Sequence, residues 1–432
     1  KTGKIYVGLL SYIKEFCERN EIECVIADDV DDTDNLDTKK VTDFVKSLKP
    51  KSKGKLLEVR DYQIDAIRCA LSNHRGMLVS PTASGKSLII YALIRFYHYL
   101  LKDKKILILV PTTSLVEQMY SDFIDYGWND KYLHRIYQGH EKVTDKPIII
   151  STWQSIYKLD KKYFEDFGCV VGDEAHLFKS KSLTTIMTKL INCKYRFGMT
   201  GTLDGTQTHR LVLEGLFGKV EKVTTTKELM DKDTLANLKI KCLVLKHKEN
   251  ECKEVKDLKY SEELQYIVAH KTRNTFISRL CDKLSGNTLC LYQLVEKHGL
   301  VLYNLMKDFD RKVFFIHGGT DTETREKIRA ITEKETNAII VASYGTFSTG
   351  INIRNLHNIV FASPSKSRIR VLQSIGRGLR KSDKGNIRTT LLDIADDFTY
   401  KDSKNFTLNH FLERINIYNE EEFDYEIDRI RI

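Results

Sequence analysis

From about residue 56 onward, short apolar runs alternate with longer segments in which apolar positions recur at helical spacing. The strand-length runs lie at 77–79, 106–110, 148–150 and 169–171, and, after a lapse between about 220 and 238, at 240–245, 288–291, 313–316, 338–341, 359–362 and 389–392. Buried strands that alternate with helices are typical of parallel sheets covered by helices. The pattern predicts an α/β chain with two sheet domains in tandem, connected near residues 225–238.

The ends of the chain give weaker patterns. A strand-like run, Ile5–Val7, precedes a helical pattern that begins near Leu9, which predicts a small N-terminal α/β unit. An acidic stretch at 28–37 lacks the glycine and distal glutamate of an EF-hand loop, so it is interpreted as a solvated loop. Residues 49–55 are basic and predict a flexible linker, and Leu408–Ile417 predicts a helix near the end.

Composition narrows the class of protein. Lys and Arg outnumber Asp and Glu by 69 to 59 among 432 residues, so the chain favours a polyanionic partner, with a generally basic surface as the alternative. Nine cysteines, without a Cys-x-x-Cys pair, indicate reduced thiols and a cytoplasmic protein. No apolar run is long enough to span a bilayer, so no membrane partner is expected. Because residue 1 is Lys, we expect that an N-terminal piece precedes it.

A serine- and glycine-rich segment, Ser80–Ser87, follows the first strand run and precedes a helical pattern. This is the context of a phosphate-binding P-loop, in which backbone amides, a lysine and a hydroxyl bind phosphates and Mg²⁺. The predicted ligands of ATP and Mg²⁺ are Thr82, Ser84, Gly85, Lys86 and Ser87, the last for the metal. Ser80 replaces the usual first glycine, so a plain Ser/Gly turn is the alternative.

Paired carboxylates, Asp173 and Glu174, end the apolar run at 169–171. On a strand beside the P-loop strand, Asp173 would hold Mg²⁺ through its waters and Glu174 would orient and deprotonate the attacking water. A metal ligand is one interpretation of His176, but no second His or Cys stands at ligand spacing, which favours a polar link between sites.

Two further segments of the first domain are candidates. Arg60 and Gln63 open a helix, and because the Gln63 amide can both donate to and accept from adenine, we predict a base contact, with an ordinary helix start as the alternative. Thr200 and Thr202 lie in a tight turn that either senses the γ-phosphate or is a simple turn.

Nearly three hundred residues beyond the P-loop, the segment Gln373–Arg380 carries two arginines, Arg377 and Arg380. Arginines brought by a second domain to a triphosphate stabilise the charge that develops during hydrolysis. We therefore predict that Gln373, Arg377 and Arg380 complete a catalytic site that domain closure controls. For the other basic residues around this segment, a solvated face is the alternative.

In this order the motifs resemble those of superfamily 2 helicases. The matching segments are Tyr62-Gln63, Gly85-Lys86-Ser87, Val110-Pro-Thr-Thr113, Ser151-Thr-Trp-Gln154, Asp173-Glu-Ala-His176, Thr200-Gly-Thr202 and Gln373–Arg380. More narrowly, Val110–Leu115, Gly198–Leu203 and Val341–Gly350 resemble the bacteriophage UvsW-type recombination helicases. The resemblance covers nearly the whole chain.

The resemblance implies two RecA-like domains, at 51–228 and 229–432, after a remnant of a nucleic-acid-binding domain at 1–50. It implies ATP-driven translocation on double-stranded DNA and branch migration of forks and four-way junctions, with possible action on RNA–DNA hybrids. A monomeric or weakly associating phage protein in the host cytoplasm is expected. The open alternatives are an RNA helicase, a restriction-type motor subunit and a nucleic-acid-binding module with a vestigial ATPase.

The resemblance also implies a nucleic-acid track. Its predicted residues are Pro111, Thr112, Thr113, Thr152 and Trp153 in the first domain and His317, Gly318, Ser343, Thr346, Lys366 and Arg368 in the second. Gly350, at the end of the Ser343–Gly350 loop, is predicted on the nucleotide side. Core packing is an equal alternative for Trp153, and a plain Gly-Ser loop is the alternative for Ser343–Gly350.

Overall fold

The computed structural model describes residues 3–27, 30, 33–34, 36–350, 353, 355–379 and 388–432, with the backbone alone at 322, 348–350 and 377–378. The chain forms two compact units, Lys1–Thr224 and Thr225–Ile432. Each is built around its own parallel sheet.

The first unit alternates strands and helices through most of its length. Its helices are α1 (Leu10–Arg19), α2 (Thr38–Ser47), α3 (Asp61–Asn73), α4 (Lys86–Leu100), α5 (Thr113–Asp125), α6 (Trp153–Ile156), α7 (Lys181–Lys189) and α8 (Gln207–Phe217). Its strands are β1 (Lys51–Ser52), β2 (Lys55–Leu56), β3 (Arg75–Val79), β4 (Lys105–Val110), β5 (Leu133–Ile136), β6 (Ile148–Thr152), β7 (Phe167–Gly172), β8 (Tyr195–Thr200) and β9 (Val220–Lys222). In the described residues, seven strands form one sheet in the order β5-β6-β4-β7-β8-β3-β9, with every neighbouring pair parallel.

Central strand β4 shows why the sheet is buried on both faces. Successive strand residues point to opposite faces, and Ile106 and Ile108 pack into the apolar cluster that includes α3, α4 and α5. Leu107 and Leu109 pack into the opposite cluster, with residues of α7 and α8. An uninterrupted apolar run is therefore what a doubly covered strand requires.

The N-terminal segment differs from its sequence-based expectation. Ile5–Val7 is not a strand, because a 3₁₀ turn covers Val7–Leu9 and the residues before it have no regular structure. Instead of a flexible linker, β1 and β2 pair as an antiparallel hairpin, and the Lys53 N–H donates to the Asp125 carboxylate at 2.9 Å. Helix α2 buries Val41 and Val45 in the core of the first unit.

The second unit repeats the alternation. Its helices are α9 (Thr226–Asp231), α10 (Glu249–Val255), α11 (Tyr260–Ala269), α12 (Lys271–Lys283), α13 (Leu300–Met306), α14 (Thr322–Lys334), α15 (Tyr344–Gly350), α16 (Arg368–Gly378) and α17 (Phe406–Glu420). Its strands are β10 (Leu238–Lys246), β11 (Thr288–Tyr292), β12 (Val313–Ile316), β13 (Ile339–Ser343), β14 (Asn358–Phe361), β15 (Thr389–Asp397) and β16 (Tyr425–Arg431). The described strands form a second seven-stranded, all-parallel sheet in the order β12-β13-β11-β14-β15-β10-β16.

The predicted fold class, an α/β chain with two parallel sheets in tandem, is confirmed. Besides the β1–β2 hairpin, four strands of the two seven-stranded sheets were missed: β5, β8, β9 and β16. Edge strand β16 is mostly exposed and charged, so it lacks the apolar run of a buried strand. The predicted loop Ser343–Gly350 is wrong, since α15 covers all but its first residue.

A buried ion pair anchors α17 to the second sheet. Arg414 donates to both oxygens of Asp393 on β15, at 2.7 Å and 2.8 Å, and both side chains are almost fully buried. Arg414 also donates to the Ser365 carbonyl, and the Tyr418 hydroxyl donates to Asp393. Both buried charges are satisfied by these hydrogen bonds. Removing either partner would leave the other charge buried and unpaired, which is costly.

Arg414→Ala should destabilise the second unit by about 3 to 5 kcal/mol, because it leaves a buried carboxylate without its cation. The measurement is native-state hydrogen exchange of the amides in 389–420, which gives the free energy of opening of this region. The matched control is Glu413→Ala, the exposed neighbour on the same helix, which should change it by no more than about 0.5 kcal/mol. Equal effects of the two variants would contradict the structural role of the pair.

Candidate nucleotide and nucleic-acid site

The P-loop connects β3 to the N-terminus of α4, as its sequence predicts. Gly85 has φ of +84°, and a Cβ there would lie 2.3 Å from the Gln63 side-chain nitrogen, so only glycine fits. Ser80, in place of the usual glycine, shares a 2.6 Å hydrogen bond with the Ser84 hydroxyl. Lys86 donates to the Ser80 carbonyl at 3.2 Å. The loop therefore presents an ordered backbone turn, a helix N-terminus and an ammonium group, which together suit a phosphate.

The paired carboxylates follow β7. The prediction that this strand lies beside the P-loop strand is wrong, because β8 is inserted between β7 and β3. The Asp173 N–H donates to the Leu109 carbonyl, and an Asp173 oxygen accepts from the Glu174 N–H at 2.9 Å. Burial raises the pKa of Asp173 to about 6, the Glu174 charge adds to this effect and the Lys86 ammonium opposes it. Glu174 adopts a left-handed backbone conformation, φ +49°, which is uncommon for a non-glycine residue and is found at functional sites.

The donor set at this edge fits Mg²⁺. Magnesium prefers oxygen ligands, usually one or two carboxylates together with substrate phosphates and waters. The Ser87 hydroxyl and the Asp173 carboxylate are the predicted ligands. A buried carboxylate beside a second one is electrostatically unfavourable without a cation, which accounts for the raised pKa of Asp173. These residues would hold the ion close to the phosphates bound by the P-loop.

His176 connects Glu174 to the Thr200–Thr202 turn. Its Nδ1 lies 2.9 Å from the Thr200 hydroxyl and 3.3 Å from a Glu174 carboxylate oxygen. Thr200 in turn donates to the Thr202 carbonyl, and His209 Nε2 lies 2.8 Å from the His176 carbonyl. The geometry therefore agrees with a polar link, and it adds His209, which the sequence did not suggest.

Gln63 is buried and holds the P-loop. Its Nε2 donates to the Ser84 carbonyl at 2.9 Å, its Oε1 accepts from the Arg60 N–H, and the Tyr62 hydroxyl donates to the same carbonyl. In this arrangement both amide atoms contact protein groups, so Gln63 positions the loop. Its predicted contact with adenine, shared with Arg60, stays a prediction.

Sequence reasoning missed Tyr126, which follows α5. Its hydroxyl lies 2.8 Å from the Ser87 hydroxyl, the predicted Mg²⁺ ligand. Burial raises the pKa of Tyr126 to about 12, so the phenol is protonated and able to donate. No sequence signal connects Ser87 with Tyr126, because the two residues are 39 positions apart in the chain.

The predicted track residues of the first unit meet at the carboxyl ends of two adjacent strands. Val110 of β4 pairs in register with Thr152 of β6, which brings the segments Pro111–Thr113 and Thr152–Trp153 together. Thr112 caps α5 by accepting from the Leu115 N–H, and Thr113 is exposed. Thr152 is almost fully buried. Trp153 is half-buried against the apolar cluster that includes Ile156 and Phe164, so core packing accounts for part of its surface.

The second unit places its candidates at the ends of adjacent strands as well. His317 and Gly318 follow β12, Ser343 ends β13, and the two strands are neighbours. The Ser343 and Thr346 hydroxyls lie 2.7 Å apart, and the Gly319 N–H donates to His317 Nδ1. The first contact orders the start of α15, and the second orders the turn after β12.

Helix α16 carries the arginine segment. Lys366, just before it, is exposed, whereas Arg368 forms ion pairs with Glu420 and Glu421 of α17. Gln373 is half-buried and Arg377 lies in the last turn of α16. Arg380 lies outside the described residues, and Gly350 is the last residue of α15.

Two family models match the chain. "Type III restriction enzyme, res subunit" covers residues 56–205, and "Helicase conserved C-terminal domain" covers residues 272–382. The ATP-dependent DNA helicase UvsW of Enterobacteria phage T4 is 35% identical over 445 residues, which span 98% of this chain and 88% of that protein. The chain belongs to the UvsW helicase family.

Other relatives of this UvsW-family chain are more distant. A DNA 3′-5′ translocase XPB2 from Sulfurisphaera tokodaii is 25% identical, over 76% of this chain and 80% of its own length. A fragment of a putative HsdR subunit of a type I restriction enzyme from Vibrio vulnificus YJ016 superposes with a TM-score of 0.66 at 19% identity, over 97% of this chain and 73% of that one. That likeness supports the fold alone. No helix of the described residues has the length and apolarity needed to cross a membrane.

Proposed function

We propose that this UvsW-family chain is an ATP-dependent DNA helicase and translocase that remodels branched DNA, including forks and four-way junctions. The observation that carries the proposal is the meeting of the P-loop with Asp173, Glu174 and His176 at one edge of the first sheet. The T4 relative is named an ATP-dependent DNA helicase, and a more distant one a DNA translocase.

In this proposal the first unit binds ATP and activates the attacking water. Lys86 and the amides of the P-loop would bind the β- and γ-phosphates of ATP, and Ser87 and Asp173 would hold Mg²⁺. The ion neutralises charge on the phosphates when it is bound. Glu174 orients the attacking water and accepts its proton. Because His176 joins Glu174 to the Thr200–Thr202 turn, a change at the γ-phosphate would move both together.

The second unit supplies arginines to the same nucleotide in this proposal. Arg377 and Arg380, with Gln373, would approach the γ-phosphate when the two units close, and Gly350 would lie on the nucleotide side. Their positive charge would stabilise the transition state. Hydrolysis then weakens the closed state, so ATP turnover is coupled to domain movement.

The track would hold DNA through its phosphates. Thr112, Thr113 and Ser343 are at least partly exposed and would offer hydroxyls, a mode that carries little base information. Thr152 and Thr346 are only 5% exposed, so they would hold these segments in place. Lys366 is exposed and free to bind a phosphate electrostatically. Arg368 would have to exchange Glu420 and Glu421 for a phosphate, so we expect its contribution to be smaller.

A second candidate is an RNA or RNA–DNA hybrid helicase. The observation that favours it is a relative from Acanthamoeba polyphaga mimivirus, named a putative ATP-dependent RNA helicase, that is 25% identical over 76% of this chain. The match to the type III restriction enzyme model likewise suggests a motor subunit whose partner would supply cleavage. We further propose that the chain acts as a monomer in the host cytoplasm and that residues 1–50 are part of a nucleic-acid-binding domain.

The test compares ATP turnover with no nucleic acid, duplex DNA, duplex RNA and an RNA–DNA hybrid of the same sequence. We expect duplex DNA to stimulate turnover at least about tenfold more than duplex RNA, and Lys86→Ala to abolish all stimulation because the phosphates lose their ammonium partner. If duplex RNA stimulated ATP turnover more strongly than duplex DNA, RNA would be the substrate in place of DNA. Equal low turnover in every sample would favour a vestigial ATPase.

A further inference from the structure

A cluster of two histidines and a glutamate lies at the carboxyl edge of the second sheet, away from the residues assigned above. His247 follows the last residue of β10, Glu251 is on α10, and His270 is the N-cap residue of α12. One possible ligand atom of each lies within 4.8 Å of the others. Open α/β sheets bind ligands at this edge.

Asp396 of β15 fixes the orientation of the His247 ring. This buried carboxylate also accepts from Arg273, whose Nε lies 2.8 Å and 2.9 Å from its two oxygens, so Asp396 acts as an acceptor here. His247 Nε2 lies 3.0 Å from an oxygen of this carboxylate and must therefore donate its proton to it. With Nε2 directed at Asp396, Nδ1 is the ring nitrogen left to bind a ligand.

His247 Nδ1 faces the Glu251 carboxylate, which is itself a hydrogen-bond acceptor. It lies 3.8 Å from a Glu251 carboxylate oxygen, and among the described residues it has no hydrogen-bond partner. The His247 side chain is 0% exposed, so water does not readily satisfy the atom. A buried lone pair directed at a carboxylate is unfavourable unless a cation lies between them.

The surroundings fix the ligand atoms in place. The His247 ring stacks on Phe398, with centroids 3.7 Å apart, and Glu251 accepts from the Lys248 N–H at 3.0 Å. The Asp396–His247 pair has the form of the carboxylate–histidine contact that orients metal-ligating histidines. His270 Nε2 lies 3.0 Å from the other Glu251 oxygen, which completes a triangle of donors.

We propose that His247 Nδ1, Glu251 and His270 Nε2 bind one divalent transition-metal ion of the Zn²⁺ class. Two imidazoles and a carboxylate, with water in an open position, suit this ion better than Ca²⁺ or Mg²⁺. Binding through His270 Nε2 moves its proton to Nδ1 and gives up the capping bond from the Arg273 N–H. The bound ion would tie α10 and the start of α12 to the end of β10.

Zn²⁺ and Co²⁺ titrations of the chelator-treated full chain test the site. We expect one ion to bind with a dissociation constant on the order of micromolar or tighter, and Co²⁺ to give the visible absorption of a four- or five-coordinate site. Glu251→Gln, which can still accept from the Lys248 N–H, and His270→Asn, which can still cap α12, should each weaken binding by about 10- to 100-fold.

The control is His140→Gln in the first unit, which removes a histidine outside the cluster and should leave the affinity unchanged. Hydrogen exchange on the unmodified chain adds a measurement that needs no variant, since Zn²⁺ should protect amides in 247–273. Equal affinities in the chain and both cluster variants, or no protection of 247–273, would overturn the proposal. The site does not rest on the proposed DNA activity, because neither measurement involves turnover.

Discussion

Arg377→Ala should lower DNA-stimulated ATP turnover by about 10³- to 10⁵-fold while nucleotide binding is retained. In the proposed mechanism this arginine of the second unit would act on charge that develops only in the transition state, so its loss should affect turnover far more than binding of the ground state. The measurement is the turnover number at saturating ATP and duplex DNA, beside the dissociation constant of a fluorescent ATP analogue.

Lys327→Ala is the matched control for this variant. Lys327 is an exposed cation on α14 of the same unit, and its loss should leave turnover within about twofold. Circular dichroism checks that Arg377→Ala is folded. Normal turnover in a folded Arg377→Ala protein would remove the cross-domain arginine from the mechanism, and a tenfold loss of nucleotide affinity would make it a binding residue instead.

Glu174→Gln should lower ATP turnover by about 10² to 10⁴-fold, the usual contribution of a general base. The amide keeps nearly the shape of the carboxylate but cannot accept the proton of the attacking water. Because Asp173, Lys86 and the P-loop are unchanged, binding of ATP and DNA should persist. Single-turnover hydrolysis and fluorescence-based DNA binding measure the two properties separately.

Glu141→Gln, a change of the same kind at an exposed position of the first unit, should have no effect on either property. Unchanged hydrolysis in Glu174→Gln would assign the general base to another group. A variant that lost DNA binding as well would indicate that Glu174 supports the fold of the site through His176, which lies 3.3 Å from it.

The fold was predictable to the extent that its strands are buried on both faces. β4 and β7 are continuous apolar runs, and both were predicted from the sequence. β8 was missed because Arg196 and Gly198 interrupt its apolar run. Arg196 lies in the strand because its guanidinium donates to the carbonyls of Met187, Leu190 and Cys193. These hydrogen bonds offset the burial of the charge, and because they form only in the folded chain, no local sequence pattern indicates them.

The candidate site likewise contains residues that the sequence could identify and residues that only the fold brings together. The P-loop, Asp173 and Glu174 have fixed spacing along single segments, so the sequence could identify them. Tyr126 beside Ser87, and His209 beside His176, come together only through packing of separate helices and turns. Gln63 was recognised by its position in a motif, but its contact with the P-loop backbone follows only from the fold.

The most direct test of the account is branch migration of a synthetic four-way junction with homologous arms, followed by gel or by fluorescence. With ATP and Mg²⁺ the chain should convert the junction to duplex products, and with a non-hydrolysable ATP analogue, or in Glu174→Gln, it should bind the junction without converting it. Conversion that proceeds equally with the analogue, or robust ATP hydrolysis on this junction without conversion, would contradict the coupling of hydrolysis to remodelling of branched DNA.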